Sequence, residues 1–257
     1  MSAFLVLLSL LAFLAPGISI AQPPPKRPPV MIGAGVVASP SPYEGVRRNL
    51  TPVPLLNVNL GRFSFRGIQA RYRLWGDRRL NLAAVLQPRF QSYEGGDSRA
   101  LEGMADRRKT AEAGLELTRR LGRWRLQVQG VTDLLGRHQG QEASAQLGYR
   151  LGGRRFTLSP GAGVEWASDR FVDYYYGVRP GEARAGRPAY SGQDAWSPFV
   201  ALVARVRLTG RWGAFTYLRH SWLDEPVTDS PIVDRATVYS GVVAVSYAFG
   251  GGSGEGK

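Results

Sequence analysis

Apolar and polar residues alternate one by one along most of this chain. From Glu142 to Leu151 every second residue is apolar, and the residues between them are charged, polar or glycine. After a glycine turn the same alternation runs from Arg155 to Trp166. Because side chains on a β-strand point alternately to its two faces, each segment predicts a strand with one apolar and one hydrated face.

The alternation recurs often enough to predict a closed sheet. Within Arg62–Leu74 its phase slips near Gly67, and a β-bulge there would explain the slip. Bacterial single-chain barrels have an even number of strands, so we predict twelve, with either Phe171–Val178 or a split at Gly67 as the twelfth. Merging ambiguous segments gives ten as the alternative. The segments are residues 32–38, 54–60, 62–74, 80–90, 111–119, 123–132, 142–151, 155–166, 197–208, 212–222 and 237–249.

The last strand favours a membrane barrel over a soluble β-sandwich, in which the polar face would simply meet solvent. One face of Thr237–Phe249 carries Tyr239 near its start and Tyr247 near its end, with valines between them. The two tyrosines are about 26 Å apart along a strand, which at a tilt of about 40° spans about 20 Å of membrane depth, near the height of the apolar band between the aromatic girdles of outer-membrane barrels. Charged residues recur on the opposite face of the other strands, as a hydrated lumen permits. We therefore predict an all-β, up-and-down antiparallel transmembrane barrel.

The N-terminal region predicts export. Residues 1–21 form a short apolar segment that ends in small residues, which is typical of a signal peptide cleaved after Ala21. Residues 22–31 are rich in proline and predict a periplasmic spacer. The barrel is expected over residues 32–249, and residues 250–257 predict a flexible, glycine-rich tail.

Composition agrees with an envelope protein. The chain has no cysteine, and its formal net charge of +13 comes almost entirely from arginine. These arginines are scattered through strands and turns instead of forming a basic helix, so nucleic acid is not the expected partner. Lipopolysaccharide phosphates and other envelope polyanions are the expected counter-charges, and local pairing inside a lumen is an equally good interpretation.

Several short strings resemble the MipA/OmpV family of outer-membrane proteins, over nearly all of the chain after the signal segment. Their order and spacing carry the resemblance more than any single string does. They are Gly33–Val36, Ser41–Tyr43, Pro52–Pro54, Phe65–Gly67, Asp106–Thr110, Pro160–Trp166, Tyr174–Val178, Asp194–Pro198 and Val227–Val233.

The resemblance implies an outer-membrane location in a Gram-negative bacterium. It also implies a scaffold or adaptor for peptidoglycan (murein) synthesis and turnover, with a lytic transglycosylase and a bifunctional murein synthase as partners. Other family members resemble small porins or surface adhesins, which is the alternative function. Family chains usually stop at the terminal aromatic residue of the last strand, whereas this one continues beyond Phe249.

The sequence contains little that predicts catalysis. His220 is next to Ser221, but adjacent strand residues point to opposite faces and cannot form a catalytic dyad. We therefore expect a histidine at the headgroup level there, a turn residue at His138, and no enzyme, cofactor or metal site. Four acidic residues follow, and we expect them to cap strands or pair with Arg235, because their spacing fits no calcium loop: Asp224, Glu225, Asp229 and Asp234.

One aromatic patch is the candidate for partner contact. It consists of Tyr174, Tyr175, Tyr176 and Trp196, and could bind a glycan or a protein. A membrane girdle or a packed loop is an equally good interpretation of the same residues.

Overall fold

The computed structural model describes residues 30–39, 41–46 and 49–249. In this part of the chain twelve antiparallel strands form one closed sheet, which confirms the prediction of a twelve-stranded all-β barrel. The strands are β1 (Val30–Ser39), β2 (Asn49–Leu60), β3 (Phe63–Gly67), β4 (Gln69–Gly76), β5 (Leu80–Arg89), β6 (Thr110–Leu121), β7 (Trp124–Asp133), β8 (Gln141–Tyr149 and Leu151–Gly152), β9 (Phe156–Ala167), β10 (Ala195–Arg207), β11 (Trp212–Trp222) and β12 (Thr237–Phe249).

The first and last strands close the barrel. β1 pairs with β12 in antiparallel register from Val30 opposite Phe249 to Ala38 opposite Gly241. β1 thus begins two residues inside the predicted spacer. The predicted signal peptide, the rest of the spacer and the C-terminal tail lie outside the described residues.

The alternation has the predicted orientation. Tyr239 and Val243 on β12 are exposed, whereas Ala244, the residue after Val243, is buried. On β6, Leu115 is 50% exposed and the adjacent Glu116 is fully buried. An inside that buries carboxylates and an outside that exposes leucine is the arrangement of a membrane barrel.

The structure corrects the predicted bulge at Gly67. β3 and β4 are two separate strands that pair with each other, Arg66 lying opposite Gln69, and the chain reverses at Gly67 and Ile68. Gly67 has φ +66°, a left-handed conformation that glycine adopts without steric cost. A tight hairpin restores the phase of the alternation as a bulge would, and it supplies the twelfth strand.

This short hairpin leaves a notch in the upper wall, since β2 pairs with β3 only from Leu56 to Leu60. Leu60 and Phe63 flank a two-residue turn, so the even-numbered residues of β2 direct their backbone groups toward the β3 side. The backbone nitrogen atoms of Pro52 and Pro54 therefore point into the notch. Proline has no N–H group, so these residues leave no unsatisfied donor in the membrane.

The other predicted candidate strand, Phe171–Val178, is wrong. Helix α1 (Asp169–Tyr176) occupies this region and buries Phe171, Val172, Tyr175 and Tyr176, a one-sided helical spacing. A second short helix, α2 (Glu225–Thr228), lies in the last long loop. None of the helices in the described ranges is long and apolar enough to span a membrane.

The loops distinguish the two ends of the barrel. One end has short turns, at residues 61–62, 77–79, 122–123, 153–155 and 208–211, and the other has the long loops and both helices. Short turns face the periplasm in outer-membrane barrels, and longer loops face outward. β1 therefore begins at the periplasmic end, and the folded loops form the outer end.

Candidate functional site

The long loops fold together into a cap over the outer mouth of the barrel. Its apolar core combines residues from four loops that are far apart in sequence, so the cap is a packed unit with a core of its own. The buried members are Tyr43, Val46, Tyr93, Leu101, Met104, Phe171, Val172, Tyr175, Tyr176, Val178, Ala195, Val227 and Ile232.

A buried ion pair fastens two of these loops. The Arg107 side chain is 1% exposed, and its Nη2 lies 3.0 Å from Oε2 of Glu182. Arg107 also donates from Nε to the carbonyl oxygen of Tyr174 (2.6 Å) and from Nη1 to that of Ala105 (2.7 Å). The guanidinium group is thus satisfied by both loops at once, as a buried charge requires.

The surroundings of Glu182 keep it ionised. Burial alone would raise its pKa, but hydrogen bonds from the Arg107 side chain and from the backbone N–H groups of Ala105 and Arg179 outweigh burial and lower it. Burial has the opposite outcome for Tyr176, whose pKa rises to about 12 even though Gln91 donates a hydrogen bond to its hydroxyl. The cap therefore contains a fixed carboxylate and neutral tyrosines at neutral pH.

Most of the strings that resemble the family meet in this cap. The Ser230 hydroxyl donates to the carbonyl oxygen of Tyr176 (2.6 Å), which joins the Val227–Val233 string to the Tyr174–Val178 string. The backbone N–H of Glu44 donates to the carbonyl oxygen of Ile232 (2.9 Å) and ties in the first loop. These strings thus encode the contacts that hold four loops together.

Beneath the cap, a belt of paired charges lies on the lumen side of strands β4 to β8. Arg89 binds Glu112 and Glu142 from two other strands, and its guanidinium carbon lies 4.8 Å from the ring centre of Phe171 in the cap. Lower down, Arg71 forms a buried pair with Glu116. The belt therefore contacts the cap directly.

Glutamines fill the space between these ion pairs. Gln69 and Gln87 together link two of them: Gln69 accepts a hydrogen bond from Arg71 (3.0 Å) and donates one to Gln87 (2.8 Å), which donates one to Glu112 (3.0 Å). Gln127 donates to Glu116 (3.0 Å). A cavity of about 70 Å³ lies beside Gln87 and Gln129.

The predicted aromatic patch is divided between two environments. Tyr175 and Tyr176 are buried in the cap core, whereas Trp196 is 44% exposed on the outer face of β10, beside Trp166. Tyr174 is half-buried, and its ring packs against that of Tyr175. Partner contact at this patch stays a prediction, and Tyr174 and Trp196 are the members with accessible surface.

The two histidines lie in different elements, His138 in the loop after β7 and His220 on β11. His138 is a turn residue, as expected, and it is also buried, where Nδ1 accepts a hydrogen bond from the N–H of Gly140 (3.0 Å). His220 stacks on Tyr239 with ring centres 4.2 Å apart, near the outer end of the barrel. Ser221 points to the other face and binds Arg219 Nε (2.8 Å), so the two do not form a dyad.

The acidic residues of the last loop act structurally. Asp224 precedes α2 and accepts a hydrogen bond from the N–H of Trp196 (2.6 Å), and Asp234 lies 3.4 Å from Arg235. Within the described ranges, no three His, Asp or Glu side chains come together in a cluster that could hold a metal ion.

Sequence reasoning missed the residues that organise the cap and the belt. Arg107 lies inside a string that resembles the family, which was its only signal, and Glu182 had none. The lumenal strand face identified Glu112, Glu116 and Glu142 as charged positions, but not Arg89 as their shared partner. Pairing between distant strands and loops has no local pattern.

The comparisons with known proteins agree with this architecture. A family model described as "MltA-interacting protein MipA" matches residues 32–249. The chain belongs to the MipA family. Its members and near relatives are outer-membrane proteins, and this chain is an outer-membrane β-barrel.

Three curated relatives illustrate the range of the family. The MltA-interacting protein of Escherichia coli K12 is 33% identical over 224 residues, which cover 85% of this chain and 89% of that protein. The putative outer membrane protein YiaT of the same strain is 30% identical over 222 residues, covering 85% and 90%. Outer membrane protein OmpV of Vibrio cholerae is 26% identical over 180 residues, covering 69% and 70%.

Solved structures resemble the chain only distantly. An outer membrane channel from Pseudomonas putida F1 aligns with a TM-score of 0.48 at 13% identity, covering 92% of this chain and all of that one (100%). A Pseudomonas aeruginosa FadL homologue aligns with a TM-score of 0.42 at 9% identity, covering 86% and 90%.

Proposed function

We propose that this protein is a non-enzymatic scaffold that holds peptidoglycan-processing enzymes at the outer membrane. The observation that carries the proposal is membership of the MipA family, together with a relative whose name states that it interacts with MltA. By this proposal the partners are a lytic transglycosylase and a bifunctional murein synthase. The fold supports it, because a barrel whose outer mouth is covered by a packed cap suits attachment better than transport.

The periplasmic end is the surface where such partners would bind. Murein enzymes act between the two membranes, and the cap lies on the opposite side of the outer membrane from them. The short turns of the periplasmic end carry several exposed arginines: Arg62, Arg78, Arg79, Arg123, Arg154 and Arg211. An acidic residue, Asp77, lies in one of these turns. Its carboxylate accepts hydrogen bonds from the N–H groups of its own turn, at 2.7 Å from Arg79 and 3.0 Å from Leu80.

Affinity capture from envelope extracts tests the scaffold. The tagged, membrane-inserted protein is expected to recover a lytic transglycosylase and a murein synthase above the level seen with an unrelated barrel carrying the same tag. Recovery of neither enzyme, at a salt concentration low enough to preserve charge pairing, would refute the proposal.

A surface adhesin is the second candidate, because the cap presents a compact folded surface outside the cell. Whole cells that display the protein would then bind host cells or matrix, and replacing the outer loops would abolish that binding. An adhesin needs no periplasmic partner, so the capture experiment distinguishes the two functions.

A further inference from the structure

The cap has an open cleft in its outer surface, here called the cap cleft, to which the scaffold function assigns no role. Its volume is about 280 Å³, and it lies between the loop after β7 and helix α1. Ligand sites in proteins begin at about 300 Å³, so the cap cleft suits one small polar molecule. Its lining consists of His138, Gln139, Arg170, Asp173, Tyr174 and Arg179.

Packed aromatic rings form the base of the cap cleft. The His138 ring lies edge-on to Phe171 with ring centres 5.1 Å apart, and the Tyr174 ring lies edge-on to Tyr175 at 4.9 Å. Phe171 and Tyr175 belong to the cap core, so both lining rings are held from behind. Tyr174 is only half-buried and contributes its remaining surface to the cleft. The base is therefore a fixed aromatic surface against which an apolar face can pack.

Gln139 has an unfavourable backbone conformation beside this base. Its φ is +50°, in the left-handed region, and it is the one non-glycine residue with a positive φ in the described ranges. The Asp133 carboxylate fixes the turn by accepting hydrogen bonds from the N–H groups of Gln139 (3.0 Å) and His138 (2.7 Å). Backbone strain of this kind clusters at ligand sites. Here it places an exposed amide, with donor and acceptor groups, at the cap cleft.

Two arginines give the cap cleft a positive rim. Arg170 and Arg179 are exposed, and neither is paired with a carboxylate in the described ranges. Asp173, the acidic member of the lining, accepts a hydrogen bond from the backbone N–H of Gly192 (3.1 Å). Guanidinium groups bind phosphates and carboxylates through paired, charge-assisted hydrogen bonds. The rim therefore favours a ligand with an anionic group.

We propose that the cap cleft binds an anionic saccharide, that is, a sugar that carries a phosphate or a carboxylate. The C–H face of the sugar ring packs on Tyr174, because its hydrogens are slightly positive and the face of the aromatic ring is negative. Gln139 and Asp173 form hydrogen bonds with the hydroxyl groups, and Arg170 and Arg179 bind the anionic substituent. The cap cleft is on the outer side of the membrane, so this inference goes beyond the periplasmic scaffold and does not depend on it.

The mixture of lining groups favours a saccharide over a bare anion. A bare phosphate would use only the arginines, and the carboxylate of Asp173 would repel it. A sugar uses the ring, the amide and the carboxylate as well. Lipopolysaccharide presents phosphorylated sugars on this side of the outer membrane, and soluble saccharides offer the same chemistry.

Calorimetric titration of the full-length protein in zwitterionic micelles tests the site, with glucose 6-phosphate and glucuronic acid as probes. Glucose 6-phosphate is expected to bind at least about tenfold more tightly than glucose or inorganic phosphate, because each of these engages only part of the lining. Absence of binding by both anionic sugars at millimolar concentration would overturn the proposal. Inorganic phosphate that binds as tightly as glucose 6-phosphate would replace it with a simple anion site.

Paired substitutions test the rim. Arg170→Gln with Arg179→Gln is expected to weaken binding of glucose 6-phosphate by about tenfold or more, because charge-assisted hydrogen bonds are lost. The matched control, Arg99→Gln with Arg235→Gln, removes the same charge from exposed positions of two other outer loops. It should weaken binding by less than about twofold, since salt screens distant surface charges. Equal weakening by the two pairs would indicate a diffuse positive field instead of a site.

Two further positions separate binding from folding. Gln139→Gly relieves the left-handed conformation, so its thermal midpoint should stay the same or rise while binding weakens about threefold or more. Tyr174→Leu should weaken binding of glucose 6-phosphate, whereas Tyr174→Phe, which keeps the ring, should retain it. Heat-modifiable gel mobility establishes that each variant is folded. Full binding by Gln139→Gly and Tyr174→Leu would contradict the assigned sugar face.

Competition identifies the source of the saccharide. Purified lipopolysaccharide that displaces glucose 6-phosphate from the wild type, and less so from the Arg170→Gln and Arg179→Gln variant, would support the glycolipid of the same membrane as the ligand. Binding of glucose 6-phosphate that lipopolysaccharide does not displace would support a soluble saccharide in the same cleft.

Discussion

At the residue scale, single buried charges do most to organise the cap. Arg107 joins Glu182 and the carbonyl oxygens of Tyr174 and Ala105, so one side chain links two loops that the sequence separates widely. Removing one partner of a buried pair leaves the other charge uncompensated, which costs far more than losing a surface pair.

Replacing Arg107 tests this role. Arg107→Gln is expected to destabilise the cap by about 3 kcal/mol, because Glu182 stays buried without its partner. Limited proteolysis of the intact barrel would show rapid cleavage within residues 90–109 and 168–194. The neighbouring Arg108→Gln is the control, since Arg108 is exposed and contributes its backbone N–H to the Tyr174 hydroxyl. Equal protection of the two variants would contradict this role.

The pair also predicts a dependence on pH. The pKa of Glu182 lies below its ordinary value of 4.5, so its ionised form stabilises the folded cap. That stabilisation is complete above pH 4.5 and is lost as the pH falls through the lower pKa of the folded state. Hydrogen exchange of the cap loops should accelerate over this acidic range. In Glu182→Gln this component should disappear, and an unchanged acid profile would argue against the assignment.

At the scale of elements, the β3–β4 hairpin is the feature that sets the strand number. It spans only the lower part of the wall, and the prolines of β2 occupy the edge that it leaves unpaired. A strand edge inside a membrane needs its backbone donors satisfied or removed, and proline removes them.

Gly67 provides a test of the hairpin. Because its φ is +66°, Gly67→Ala is expected to cost about 1 kcal/mol in the left-handed region, more than an exposed glycine elsewhere. The readout is the temperature at which the barrel loses its heat-modifiable mobility. Gly96→Ala is the control, since nothing lies within 4 Å of its added methyl group. Equal midpoints for the two variants would indicate that Gly67 is not under conformational constraint.

At the scale of the whole molecule, a packed cap covers the outer mouth of the barrel. The cap core and the Arg89 belt lie one above the other and touch at Phe171. The exposed arginines of the short turns lie at the periplasmic end, where the proposed partners would meet them.

Planar-bilayer recording tests whether the barrel conducts ions. The wild-type protein is expected to show no steady open-channel steps, because the cap and the Arg89 belt beneath it obstruct the same path. Arg107→Gln should stay closed as well, since loosening the cap leaves the belt in place. A general porin reconstituted in parallel serves as the positive control. Steady steps from the wild type would support the porin alternative.

Much of the fold could be predicted because the alternation is local. A strand in a barrel wall meets lipid on one face and the lumen on the other, so each segment records its own orientation. At Gly67 the sequence showed a change of phase, but a bulge and a hairpin produce the same change. In the structure one arm of the hairpin pairs with β2 and the other with β5, which distinguishes the hairpin from a bulge. The sequence of either arm by itself does not predict this pairing.

The cap is where local patterns stopped being informative. Phe171–Val178 is one of the two candidates that the sequence offers for the twelfth strand, but the burial of Phe171, Val172, Tyr175 and Tyr176 follows the period of a helix. Tyrosine and phenylalanine favour strands, and only packing against three other loops makes the helix the better solution.

The sequence by itself determined the barrel, its lipid and lumen faces and its family, because each of these rests on short-range periodicity or on strings of neighbouring residues. Only the tertiary structure decided how the long loops close the outer mouth and which charges pair inside the lumen. Those outcomes depend on contacts between residues far apart in the chain, and their geometry exists only once the barrel has closed.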